Sequence, residues 1–87
     1  YESNSLTVSI YPNPATDIVT VKFALNAGSD ATVELLDITG KTVASQSFLA
    51  NSGENTVTFN VNELPAGLYF STIRTEEGLS SSKLLID

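Results

Sequence analysis

Ile18-Val19-Thr20-Val21-Lys22-Phe23-Ala24-Leu25 is the stretch on which the fold turns. Val19, Val21, Phe23 and Leu25 alternate with Thr20, Lys22 and Ala24, a period of two that puts the large apolar side chains on one face of an extended strand. Wound into a helix, the same four side chains would split between opposite faces and bury nothing together.

The alternation recurs on both sides of this stretch. Upstream, Leu6, Val8 and Ile10 alternate with Thr7 and Ser9 and stop at Pro12. Downstream, Ala31–Asp37 carries Val33 and Leu35 on one face and Thr32 and Glu34 on the other. Thr42–Phe48 is polar at Ser45, Gln46 and Ser47 and reads as an edge strand. Val57, Phe59 and Val61 oppose Thr58 and Asn60. Tyr69, Ser71 and Ile73 oppose Leu68, Phe70, Thr72 and Arg74, so the adjacent rings Tyr69 and Phe70 point to opposite faces. The last run, Ser81–Ile86, has Leu84 and Ile86 on one face and Leu85 on the other. Phe23 and Phe59, in phase with valines, belong to the core.

Between the seven runs lies turn chemistry. Pro12-Asn13-Pro14 removes two backbone donors and cannot lie inside a sheet. Asn26–Asp30 and Asn51–Asn55 are polar loops. Asp37-Ile38-Thr39-Gly40-Lys41 sets an Asx-turn former before a glycine, the pattern of a short bulged hairpin. Asn62–Gly67 reads as one short helical turn capped by Asn62, with Gly67 releasing the next strand. Glu76-Glu77-Gly78 closes the last hairpin. Seven short strands with turns between them and no helix predict an all-β, seven-stranded antiparallel β-sandwich with immunoglobulin-like Greek-key topology, rather than a closed barrel.

Eighty-seven residues make one domain, spanning 1–87 with its core in 6–86, and 41% apolar with 16% charged residues is globular composition. There is no run of about 18 apolar residues to span a membrane. No basic-plus-apolar leader opens the chain, which reads as mature protein or an excised domain. Ten acidic against four basic residues give a net charge of −6. Lys22, Lys41, Arg74 and Lys83 are scattered, so neither nucleic acid nor an anionic membrane surface is an expected partner.

Catalytic chemistry is poorly supplied. Without histidine or cysteine there is no Ser–His–Asp triad, no thiolate and no ordinary zinc site. Ser80, Ser81 and Ser82 precede Lys83, but neighbours on a strand point to opposite faces and make no dyad. Glu76 and Glu77 fall in a turn and read as fully wet; the other acids are spread over separate elements. No Asp-x-Asp-x-Asp-Gly loop is present, and Asp37 with Thr39 reads as a plain Asx turn before it reads as a weak calcium site. No enzyme activity, cofactor or metal is expected.

Three separated segments together resemble a known family. They are Tyr11-Pro12-Asn13-Pro14-Ala15 with the strand after it; Val33-Glu34-Leu35-Leu36-Asp37-Ile38-Thr39-Gly40-Lys41-Thr42-Val43; and Leu64-Pro65-Ala66-Gly67-Leu68-Tyr69-Phe70 followed by Lys83-Leu84-Leu85-Ile86. In this order they are similar to the type A C-terminal sorting domain of the type IX secretion system of certain Gram-negative bacteria. The resemblance implies a domain covalently linked behind a larger cargo. It folds in the periplasm, is recognised by an outer-membrane translocon and is usually removed by a surface sortase-like peptidase, leaving the cargo at the cell surface or secreted. It assigns Lys83, Leu84, Leu85 and Ile86 to the recognition strand, which we read as an edge strand recognised through backbone hydrogen bonds and side-chain pockets. Pro12, Asn13, Pro14, Asp37, Gly40, Lys41, Gly67 and Tyr69 are fold-specifying positions. The chain is expected to be a monomer or a weak edge-paired dimer. An ancillary carbohydrate-binding sandwich, or an immunoglobulin-like adhesion or spacer module, is the alternative reading.

Overall fold

The computed structural model describes residues 7–87; Leu6, expected in the first strand, lies outside them. Seven strands follow in chain order: β1 (Val8–Tyr11), β2 (Ile18–Leu25), β3 (Ser29–Leu36), β4 (Thr42–Ala50), β5 (Gly53–Asn60), β6 (Gly67–Thr75) and β7 (Gly78–Ile86). They form a three-stranded sheet in the order β1-β2-β5 and a four-stranded sheet in the order β4-β3-β6-β7. Every ladder between named strands is antiparallel. Hairpins β1–β2, β3–β4 and β6–β7 stay within a sheet, while the chain changes sheet at β2–β3, β4–β5 and β5–β6. Two open sheets result, with β4 on an edge as its polar composition predicts.

The inner faces are those the alternation marks. Val19, Val21 and Phe23 of β2 meet Val33 and Leu35 of β3, Ile73 of β6, and Leu84 and Ile86 of β7 in one core. Phe23 tilts against Phe48 at 6.3 Å between ring centres. Tyr69 is buried and Phe70 faces outward. The Tyr69 hydroxyl donates to the Pro65 carbonyl at 2.6 Å, closing the β5–β6 connection onto the sheet as tyrosine corners do in sandwich folds. The Ser71 hydroxyl, buried on β6, has no hydrogen-bond partner among the described residues.

The strands outrun their hydrophobic signals. β5 begins at Gly53 rather than Val57 because β2 supplies ladder partners as far as Leu25, opposite Gly53. β7 begins at Gly78 rather than Ser81 because β6 pairs with it out to Thr75. The loop expected over Asn51–Asn55 shrinks accordingly, and the side chain of Asn55 ties its bend through the Asn51 amide (3.1 Å) and carbonyl (2.9 Å).

Two readings of polar segments are corrected. Asn62–Gly67 is not a helical turn. A single bond from the Leu64 amide to the Val61 carbonyl (3.0 Å) closes it, and Asn60, not Asn62, supplies the capping oxygen, accepting from the Asn62 amide. Glu77 is not a free turn residue. Its carboxylate accepts from the Asn26 amide (3.0 Å) and the Ala27 amide (2.8 Å), clipping the β6–β7 turn to the β2–β3 loop.

Candidate functional site at the terminal strand

β7 closes one edge of the four-stranded sheet, and its last residues are the expected recognition strand. The pleat divides them. Leu84 and Ile86 point inward and are 0% and 2% exposed, so they are core residues as well as part of the expected motif. Lys83 and Leu85 face outward, Leu85 being 43% exposed. Toward β6, Lys83 pairs with Phe70, Leu84 with Tyr69 and Leu85 with Leu68.

The opposite edge of β7 would be open if Pro12-Asn13-Pro14 merely ended β1. Instead the segment turns across the gap between the sheets and lies along β7. The Asn13 carboxamide accepts from the Leu85 amide (3.0 Å) and donates to the Lys83 carbonyl (3.3 Å). Its two polar atoms thus do what a neighbouring peptide unit would do. Ala15, fully buried, continues the contact by donating to the Leu85 carbonyl (2.8 Å) and accepting from the Asp87 amide (2.8 Å), a parallel bridge opposite Ile86. The outer edge from Lys83 to Asp87 is therefore occupied in the folded domain. By the period-two alternation, Leu79 and Ser81 continue the same edge, and no bond to their outward backbone groups exists among the described residues. This corrects the expectation that the last residues offer a free edge.

The Asp37–Lys41 loop, at the β3–β4 hairpin, is built around one oxygen. Asp37 Oδ1 accepts from the Thr39 hydroxyl (2.6 Å), the Thr39 amide (2.9 Å) and the Lys41 amide (3.0 Å). These donors, the Thr39 hydroxyl first, hold the carboxyl below its ordinary value. Gly40, at φ +91°, takes the left-handed step of the turn, and the β3–β4 register slips between Leu35 and Leu36, as a bulged hairpin requires. That oxygen has its donors within the loop, which is the Asx turn of the first reading. Gly67, at φ +150°, opens β6, and Lys41 enters the turn through its backbone.

Chemistry elsewhere is sparse. Ser82 and Lys83 lie on opposite faces of β7. Among the described residues no three acidic side chains gather within metal-ligating reach. A shallow hollow of about 360 Å³ on the outer face of the four-stranded sheet is lined by Thr32, Glu34, Leu36, Thr72, Arg74 and Leu79, with no aromatic ring to stack on a sugar. What is found here is a two-sheet sandwich module whose last strand is held in the fold from both sides.

Comparison with known proteins narrows that class. A family model described as secretion system C-terminal sorting domain matches residues 9–87, and the chain belongs to that family. It is a C-terminal sorting signal of type IX secretion, and the family is not catalytic; such a signal implies export to the cell surface or the medium. No curated protein sequence matches the chain significantly. Among solved structures it is similar to part of dimeric latent PorU from Porphyromonas gingivalis, with TM-score 0.68 and 18% identity over 93% of this chain. The match spans 9% of that protein's length and shows a shared fold.

Proposed function

We propose that this chain is the removable address of a larger exported protein and catalyses nothing itself. It rides behind its cargo through the periplasm, folded in an immunoglobulin-like Greek key. It is handed to the outer-membrane translocon of type IX secretion and is cut away by a surface sortase-like peptidase. Lys83, Leu84, Leu85 and Ile86 form the strand on which recognition depends. Pro12, Asn13, Pro14, Asp37, Gly40, Lys41, Gly67 and Tyr69 hold that strand and its sheet in shape. It works as a monomer, or as a weak dimer paired through the open edge near Leu79 and Ser81.

The observation that carries this reading is the match of the sorting-domain family to residues 9–87, nearly the whole described chain. The absence of histidine and cysteine from the sequence fits a module that is read rather than one that reacts. The test is transplantation. The chain, fused behind a reporter carrying an inner-membrane export leader, is expected to bring the reporter outside a cell that has the type IX apparatus. It should leave the reporter in the periplasm of a sibling strain lacking the translocon. Equal export from both strains would overturn the proposal.

A further inference from the structure

A strand in a sheet can be read from four sides, and three sides of the terminal strand are taken. Its inner side chains, Leu84 and Ile86, are in the core. One edge is laddered to β6, and Asn13 and Ala15 hold the other. Only the outer face is left, and it is shared. Leu68 stands directly opposite Leu85, and Phe70 opposite Lys83, with Leu36 of β3 on the far side of Phe70. Opposed side chains on one face of an antiparallel pair lie within about 4.5–5.5 Å at Cβ, so these residues make one continuous surface. Leu68 is 39% exposed and Leu85 43% exposed, which is ample for a partner to cover.

Resting on the sorting reading, we propose that the address is this composite surface, Leu68 and Phe70 of β6 beside Lys83 and Leu85 of β7. Its partner is a protein of the export apparatus with an apolar cleft edged by a carboxylate. The charge argument selects that partner. Lys83 is the one ionised side chain of the cluster and, among the described residues, enters no ion pair, the only one being Lys22 with Glu54. In a chain of net charge −6, a single lysine set in leucines is a poor foothold on an anionic lipid surface, whose pull on a protein is summed over several basic residues. It suits one acidic group at the rim of an apolar pocket.

The decisive residue is Leu68, which lies outside the terminal segment and which a linear reading of the last residues would never include. In the transplanted reporter, Leu68→Ser is expected to cut export to about a tenth, the effect of truncating an interface anchor, with the melting temperature of the chain kept close to that of the parent. Lys83→Glu should do the same and Lys83→Arg should not. Leu49→Ser, 75% exposed on β4 and away from this surface, should export as the parent does. If the parent chain exports while Leu68→Ser matches it, the composite surface is wrong and the sorting reading survives. Export of Lys83→Glu at the parental level likewise overturns it, and that substitution, on a fully outward side chain, leaves the core untouched.

Discussion

Asp37 shows how a single carboxylate can organise a hairpin without being a site of chemistry. Its Oδ1 gathers three donors in the space of five residues, and those donors hold its pKa below the ordinary 3.8. A lowered folded-state pKa contributes stability that is fully present above the unfolded value and is lost as pH falls through the folded one. The acid-induced change in the Thr39 and Lys41 amide shifts of the wild-type hairpin should therefore have its midpoint below pH 3.8. Asp37→Asn, which cannot ionise, should show no such transition in the same amides. An NMR titration checks both, and a wild-type midpoint above 3.8 would contradict the assignment. This turn was readable from Asp37-Ile38-Thr39-Gly40-Lys41 alone, because every partner lies within four residues. The buried hydroxyl of Ser71, without a partner among the described residues, was not, since its ladder neighbours Leu35 and Ser82 are set by strand pairing rather than by the local sequence.

At the scale of elements, the Pro12–Ala15 segment acts as a clasp on β7. Prolines cannot donate to a ladder, so the backbone here is a poor strand, and the Asn13 side chain supplies the two missing edge contacts in its place. Asn13→Ala should cost about 1–2 kcal/mol in urea unfolding, the worth of two such bonds, and should speed hydrogen exchange at the Leu85 amide while Leu84 stays protected. Asn13→Asp is expected to be no remedy, because its second oxygen would face the Lys83 carbonyl, which has no proton to give. Unchanged protection at Leu85 in Asn13→Ala would mean the clasp is idle. The sequence declares this segment to be outside the ladders, and it is, but not where it goes: Asn13 and Lys83 are 70 residues apart. The same holds for Glu77, whose amide partners lie about fifty residues away. Strand faces were legible because alternation is local. Strand lengths were not, because Gly53–Thr56 and Gly78–Ser80 are extended by their partners β2 and β6 rather than by their own composition.

For the whole molecule, the terminal strand is part of the core as well as part of the proposed address, and this decides which experiments can be interpreted. Removing Lys83–Asp87 deletes Leu84 and Ile86 from the core and strips Ala15 and Asn13 of their partners. Truncating one buried leucine or isoleucine costs about 2–5 kcal/mol, so losing two amounts to about 4–10 kcal/mol. A domain of 87 residues has about 4–13 kcal/mol in total. The shortened chain is therefore expected to lose its cooperative thermal transition, and a failure of its cargo to leave the cell would report unfolding before it reported recognition. Substitutions on the outer face separate the two, because Lys83 and Leu85 contribute little to the core. Lys83→Glu and Leu85→Ser should unfold within a few degrees of the parent, a shift of about 1 kcal/mol or less, and any loss of export they cause belongs to recognition. Calorimetry on the truncated chain is the check. A sharp endotherm near the parental temperature would show that the last residues are an appendage to a core complete without them, and truncation alone would then be a clean test of the address.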